Sequence, residues 1–526
     1  MCEVLPMDPA DRRTFLRRGA VTTAALAAAG AAASARPGRA LAEPGGSGAV
    51  PAREMRGVWI ASVANIDWPS SPGLSAQAQQ DEYRAALDLA VEQGLNAVFS
   101  QVRPTADAFW PSPHEPWSRY LTGTQGRDPG YDPLAFQIQE AHARDLEFHA
   151  WFNPYRVAMS EDPAGLVPDH PARRNPDWVW PYGGKLYYDP GLPEVRAFAL
   201  EAMLDAVERY DVDGAHFDDY FYPYPVAGQE VPDADTYAAH AAPGQSLADW
   251  RRENVDLLVQ EFGHRVHAIK PWVRFTISPF GIWRNRASDP AGSDTSGTES
   301  FSAISADSRR WVRERWVDGL IPQVYWQVGH PAADYDTLVR WWDEVAAGTD
   351  VSLWIGEAAY KAAAGTFTDP AELSRHVALC RTLPRVGGAV HFSLSSLRTD
   401  TTGSVDRMVA ERYAHPAIVP VSPLIPGAAP PRPQLHAATA TATGVRLRFS
   451  GQAATSFALW RFPEGRGLNS QRADGRYLLG TVRATGGTQV HEVPGGSPAD
   501  WYAVTALDRT RRQSILSVQR RATPAS

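Results

Sequence analysis

Gly214-Ala215-His216-Phe217-Asp218-Asp219-Tyr220 is a short, mostly apolar run that ends in two acids and an aromatic ring. Bounded by turn residues and helical stretches, it reads as a buried strand that carries its chemistry at its C-terminal end. Seven more runs share the pattern: residues 56–61, 97–102 and 147–152 before it, and 274–278, 319–325, 351–356 and 389–393 after it. Helical periodicity lies between them, as in Ala86, Leu87, Leu89 and Ala90 and in the long stretch 248–269. Alternation of this kind implies βαβ units and a parallel sheet. Eight strands in about 350 residues is the count of a (β/α)8 TIM barrel with long loops. An open doubly wound sheet would alternate in the same way, but the eighth unit and the lack of a Gly-rich phosphate loop favour closure.

The side chains after the strand ends define the candidate site, because barrel chemistry sits at that face. Strand one leads into Asn65, Asp67 and Trp68, strand two into Arg103, Asp107 and Trp110, and strand three into Asn153, Tyr155 and Arg156. Tyr220 and Tyr222 follow strand four, Trp283, Arg284 and Asn285 follow strand five, and Trp326 and Gln327 follow strand six. Glu357, Tyr360 and Lys361 follow strand seven. Trp59, Asp67, Arg103, Asp107, Asn153, Tyr155, Arg156, His216, Tyr220, Trp283, Tyr325 and Trp326 are the expected substrate contacts. Such a mixture of carboxylates, amides, arginines and rings suits a polyhydroxylated ligand. The 18 tryptophans fit the same reading, since an indole face matches the C–H face of a sugar ring. The competing reading is that they fill a large barrel. His216 is read as a hydrogen-bonding contact rather than a base. No His-x-His or Glu-x-x-His pattern stands at a strand end, so neither a catalytic metal nor a cofactor is expected.

Outside the barrel, Asp11-Arg12-Arg13-Thr14-Phe15-Leu16-Arg17 and the Ala/Gly run 19–35 read as a twin-arginine signal peptide over residues 1–42. Ala40-Leu41-Ala42 supplies its cleavage site, with Ala33-Ser34-Ala35 as an alternative. An ordinary secretory signal with incidental arginines is the competing reading. The run is too short and too rich in Ala and Gly for a firm membrane anchor, and no lipid-bearing cysteine follows it. The expected location is therefore the cell envelope or the medium, after a flexible lead-in over residues 43–52. A net charge of −8 argues against a nucleic-acid partner. Cys2 falls in the leader and Cys380 follows Leu373, Val377 and Leu379, so the mature chain has no internal disulfide and one structural thiol.

The barrel is expected over residues 53–415, and a Pro-rich linker with few contacts across it over 416–433. Alternating runs at 444–449, 456–461, 477–482 and 501–506 predict a small antiparallel β-sandwich over residues 434–526. Its Tyr502-Ala503-Val504-Thr505-Ala506-Leu507-Asp508 resembles a late strand of fibronectin type III domains. Carbohydrate binding is one role for it, and a spacer or docking domain is the plainer one.

Longer segments carry a family resemblance. Met55-Arg56-Gly57-Val58-Trp59-Ile60-Ala61, Gln101-Val102-Arg103-Pro104 with Pro116-Trp117-Ser118, and Phe152-Asn153-Pro154-Tyr155-Arg156 resemble the bacterial family-10-like glycosyl hydrolases. So do Asp213-Gly214-Ala215-His216-Phe217-Asp218-Asp219-Tyr220-Phe221-Tyr222-Pro223, Ile277-Ser278-Pro279-Phe280-Gly281-Ile282-Trp283-Arg284 and Pro322-Gln323-Val324-Tyr325-Trp326. The resemblance covers about residues 53–415. It implies hydrolysis of a glycan, and the family includes a glycosidase of peptidoglycan strands stripped of their peptides. A cell-wall polysaccharide is thus the expected partner. A non-catalytic glycan-binding barrel, or an amidase or deacetylase of the same substrate, are the alternatives.

Glycosidic cleavage commonly uses two carboxyl groups, one of them an acid for the leaving oxygen. Alternation places His216 and Asp218 on one face of strand four and Phe217 and Asp219 on the other, provided the strand runs through 219. The spacing Asp213-Gly214-x-x-x-Asp218 is similar to barrel glycosidases whose last Asp is the nucleophile. Asp218 is therefore the inward acid, with Asp219 either supporting it or catalytic itself. Alternatively one of the two merely caps the turn through an Asx bond. For the second carboxylate the choices are Glu357 at the end of strand seven, Asp107 and Asp67. A further alternative is that an N-acetyl group of the substrate acts as the nucleophile.

Overall fold

Eight parallel strands pair in chain order and close on themselves in the computed structural model, which describes residues 50–463 and 465–524. The expected signal peptide lies outside the described residues. The strands are β1 (Met55–Ile60), β2 (Ala97–Arg103), β3 (Glu147–Phe152), β4 (Gly214–Phe217), β5 (Arg274–Ile277), β6 (Gly319–Leu320), β7 (Ser352–Glu357) and β8 (Val386–His391). Strand alternation sorts the side chains into two layers. Trp59, Phe99, Trp151, Trp354 and Val390 fill the barrel, while Val58, Val98, Phe217, Ile277 and Leu353 meet the surrounding helices. Those helices start where side chains can satisfy free N–H groups. The Ser75 hydroxyl caps α1 (Ala76–Glu92), Ser246 caps α2 (Leu247–Ile269) and Asp334 caps α3 (Tyr335–Val345).

Strand β6 is much shorter than the run 319–325 suggests. Pro322 has no N–H to donate, so the ladder breaks there and resumes only as bridges from Gln323 to Phe280 and Gly356. Between β3 and β4 the chain inserts a three-stranded antiparallel sheet of Arg156–Ala158, Lys185–Tyr188 and Val179–Tyr182, which the sequence pattern did not reveal.

The C-terminal module pairs β9 (Gln434–Thr441), β10 (Gly444–Ser450) and β13 (Thr488–Pro494) in one sheet. Its other sheet is formed by β12 (Leu478–Arg483), β11 (Ser456–Phe462), β14 (Trp501–Leu507) and β15 (Arg520–Arg521). Leu447 and Phe449 meet Phe457, Leu459, Tyr502 and Val504 between the sheets. The outer face of the second sheet is also buried, for Trp460, Phe462 and Ala503 pack with Ala52 and Ile418.

Contacts between barrel and module are numerous, contrary to the spacer expected over 416–433. Val419 joins the cluster inside the barrel, and Arg274 donates to Pro420 O at 2.7 Å. Arg511, on the turn after β14, is buried among barrel acids: it bonds Glu147 at 3.0 Å and Asp145 at 3.1 Å. Arg274 takes the other Glu147 oxygen at 2.8 Å. Burial opposes ionisation of Glu147, but Arg274, His149 and Arg511 prevail and hold its carboxyl down to about 2. The module thus closes the floor of the barrel with an ion network.

Candidate active site

Strand β4 assembles the site one residue at a time. At its foot Asp213 accepts from His142 Nε2 at 2.7 Å and Phe148 N at 2.9 Å. Gly214 follows because a Cβ there would lie 2.1 Å from His149 Nδ1. His216 is next on the inner face and fully buried. The Trp59 indole N–H donates to its Nε2 at 3.1 Å, which leaves the ring proton on Nδ1 facing Thr276 Oγ1 at 2.9 Å. Burial, and then His149, keep His216 neutral by pushing its pKa well below the ordinary value. It is not among the residues that line the cavity but lies beneath two that do, Trp59 and Ser278, the latter 3.1 Å from its Nε2.

The strand ends at Phe217, and the chain turns so that Asp218 and Asp219 both line the cavity at the top. Because the strand stops two residues short of 219, alternation does not separate the two acids. Asp218 accepts from Trp151 Nε1 at 3.1 Å, from Asn153 Nδ2 at 3.0 Å, and from Tyr220 N at 3.2 Å. The last contact is an Asx-type bond, so one acid shapes the turn and lines the cavity at once. Burial, opposed by Arg156 and supported by Asp219, raises the Asp218 carboxyl to about 6. Asp219 accepts the Tyr224 hydroxyl.

Trp59, Arg156, Tyr220 and Tyr325 of the expected contacts line the same cavity, together with Trp151, Gln101, Ser278, Gln323 and Phe392. The Arg156 guanidinium lies 4.8 Å from the Tyr220 ring centre and bonds Pro104 O at 3.0 Å. Asn153 acts as a clamp, holding Asp218 with its amide N–H and accepting Arg156 N at 2.9 Å. Gln101 is also fixed. Its Oε1 accepts from Ser62 N at 3.1 Å and Val63 N at 2.9 Å, which leaves the buried Nε2 without a protein partner. Parity could have found these lining residues, since 101, 151 and 278 end the inward rows of the runs 97–102, 147–152 and 274–278, and 323 precedes Tyr325 in the inward row of 319–325.

Other expected site residues lie elsewhere. Glu357 faces outward with Leu353 and Ile355, accepting the Tyr335 hydroxyl at 2.5 Å and facing His376 Nδ1 at 2.8 Å. Asp67 ties two loops together through Ala61 N, Ser393 Oγ and Ser395 N. Arg103 is spent on Glu115 and the carbonyls of Asn153 and Pro154. Asp107 is enclosed under the β2 loop, where burial pushes its carboxyl up to about 7. Tyr155 sits in the outer core. Trp283 donates to Asp307 and stacks on Trp341, and Trp326 is packed near Gly281. Twelve of the 18 tryptophans are buried, and Trp68, Trp110, Trp311, Trp342, Trp354 and Trp460 almost completely so. Among the described residues no cluster of three His, Cys, Asp or Glu side chains could hold a metal ion.

A closed barrel with paired acids and stacking rings at its C-terminal mouth is the architecture of a glycoside hydrolase. Residues 54–372 match the family model glycosyl hydrolase-like 10, and the chain belongs to that family. It is 45% identical over 477 residues to Glycosyl hydrolase YngK of Bacillus subtilis, covering 88% of this chain and 92% of that one. Glycosyl hydrolase DigH of Escherichia coli K12 is 38% identical over 383 residues, covering 68% and 87%. Among solved structures, the PgaB (BpsB) glycoside hydrolase domain from Bordetella bronchiseptica aligns with a TM-score of 0.45 at 14% identity, over 69% and 99%. The protein is a glycoside hydrolase with a glycan substrate.

Proposed function

We propose that the enzyme is exported by the twin-arginine route and cleaves an N-acetylated amino-sugar polymer of the cell wall, such as peptide-free peptidoglycan strands. One observation carries the reading of the chemistry: the two carboxylates of the cavity stand side by side on one strand end, and no third acid is among its lining residues. A conventional glycosidase flanks the scissile bond with two separated carboxyl groups. An adjacent pair suits a reaction in which the substrate's own acetamido oxygen attacks the anomeric carbon. Asp218, whose carboxyl stays protonated to about 6, gives its proton to the leaving oxygen. Asp219, held by Tyr224, orients the acetamido group and balances the positive charge that develops on it. Water then opens the cyclic intermediate with Asp218 as base. The β-module, with its fibronectin type III-like strand, serves as a docking element.

Incubation with intact peptidoglycan, peptide-free strands, de-N-acetylated strands and plant-type polysaccharide tests this directly, with new reducing ends identified by mass spectrometry. Peptide-free strands should be cut, and their de-N-acetylated form should not. Cleavage of the de-N-acetylated strands would remove the substrate-assisted mechanism, and release of peptide or acetate would change the reaction class. Asp218→Asn and Asp219→Asn should each lower turnover by about 100-fold or more while glycan binding survives. Cytoplasmic retention of the precursor after Arg12 and Arg13 are both changed to Lys is expected of the export route.

A further inference from the structure

An open cleft of about 670 Å³ lies at the opposite end of the barrel from the active site, where the entry to β1 meets the 416–433 segment and the module. Arg53, Arg472 and Arg512 line it beside Asn469, Ser470 and Gln513. Each guanidinium is anchored by neutral oxygens. Arg53 donates to Val419 O at 3.0 Å and Arg511 O at 2.9 Å, Arg472 to Asn469 O at 3.0 Å and Ser514 O at 2.5 Å, and Arg512 to Ile425 O and Thr510 Oγ1. Carbonyls and hydroxyls fix the geometry of these groups without neutralising their charge. No described carboxylate forms an ion pair with any of the three.

The surroundings do not make up the deficit. Arg511 and Arg274 lie close behind Arg53, but they are matched to Asp145 and Glu147. Two acids stand nearby: Asp508 accepts from Thr510 N and Arg512 N, and Asp474 is taken up by Arg476. Burial, followed by the charges of Arg511, Arg274 and Arg472, outweighs Asp508 and lowers Arg53 to about 10. Positive charge of this kind, half-buried and held in place, is costly in the empty protein and is relieved by an anion.

We propose that this cleft is a second binding site, for the oxyanion groups of an anionic polymer. A guanidinium fork matches phosphate and carboxylate alike, so the shared chemistry is the oxyanion. Binding there leaves the catalytic mouth facing away from the anchored chain, so the polymer held and the glycan cut are independent.

Calorimetric titration of the whole protein with inorganic tripolyphosphate, and separately with trigalacturonate, tests the site. At low salt at least one of them should bind, more weakly as NaCl is added, and the stronger one identifies a phosphate or a carboxylate polymer as the source. Arg472→Gln should weaken binding by about tenfold or more. Ser470→Asp, at an exposed position on the rim, should do the same by adding a negative charge, without removing any guanidinium contact. Turnover of a soluble glycan should be unchanged in Ser470→Asp. Failure of both probes to bind the wild-type protein, or equal binding by Ser470→Asp, overturns the proposal.

Discussion

Asp218 is poised by opposing influences, and its pH response can be worked out from them. Burial and the neighbouring Asp219 favour its protonated form, while Arg156 and the N–H groups of Asn153 and Tyr220 favour the anion. If its proton serves the leaving oxygen, kcat/KM should fall as pH rises through about 6. Replacing Asp219 by Asn removes a negative charge that raises Asp218, so in that variant the fall should begin at lower pH. A pH–rate profile that stays in place, or moves upward, would show that another group supplies the proton. Gln101 offers a second test at this scale. Two backbone N–H groups occupy its oxygen, and its buried amide N–H, in a side chain that lines the cavity, has no protein acceptor. Gln101→Glu loses that donor and should reduce kcat/KM by about tenfold or more while the melting temperature changes little.

A strand presents two faces, and the two ends of the chain use them differently. Glu357 closes β7 on the outward face, where it meets α3 through Tyr335 and α4 (Glu372–Cys380) through His376. Burial alone would keep His376 neutral, but Glu357 and Glu372 outweigh it and raise its pKa. A raised histidine contributes stability that is complete below its unfolded value near 6.5 and is lost as pH rises through the folded value. Glu357→Gln should therefore destabilise the protein by about 3 kcal/mol at pH 6, less at pH 9, with turnover retained in the folded fraction. A hundredfold loss of turnover at unchanged stability would return Glu357 to the active site. In the module, β10 alternates exposed Arg446 and Arg448 with buried Leu447 and Phe449, whereas β11 and β14 are buried almost throughout. The continuous apolar runs Phe457-Ala458-Leu459-Trp460 and Tyr502-Ala503-Val504 already signal a sheet covered on both sides. The second cover is the barrel.

The molecule folds around that cover. Ile418 N donates to Ala52 O at 2.9 Å, Gly475 N donates to Val50 O at 2.7 Å, and Arg511 reaches the acids of the barrel floor. A chain ending at residue 415 would leave Asp145 and Glu147 without Arg511 and would expose the surface around Ala52. Such a chain should be insoluble or unstable, and the full chain should unfold in one transition. Arg511→Ala should cost about 3–5 kcal/mol at pH 7, since it strands two buried carboxylates. Glu147 is depressed, so its share is present above pH 4.5 and disappears as pH falls towards 2, where the difference between variant and wild type should narrow. Independent unfolding of the two halves, seen by calorimetry, would contradict this picture.

Local pattern alone was enough for the eight strands, the sandwich strands and the acids of β4, because apolar period and turn residues are properties of neighbouring positions. Alternation, used only for residues 216–219, would also have placed Trp59 at the cavity and, applied from Ile355 to Glu357, would have turned Glu357 outward. What it could not supply were facts that depend on distant partners. The strand stops at Phe217 because the chain turns there, and the Asn153 clamp on Asp218 comes from another strand. His216 is a contact in the sequence and a pillar in the fold, since Trp59, Thr276 and Ser278, all remote in the chain, together occupy its two nitrogens. A Pro-rich stretch reads as a spacer, because Arg53 and Arg274, which donate to the carbonyls of Val419 and Pro420, are more than a hundred residues away. Period and propensity are local and legible in the chain, whereas charge pairing, enclosure and the direction of a terminal side chain are settled only when remote segments meet.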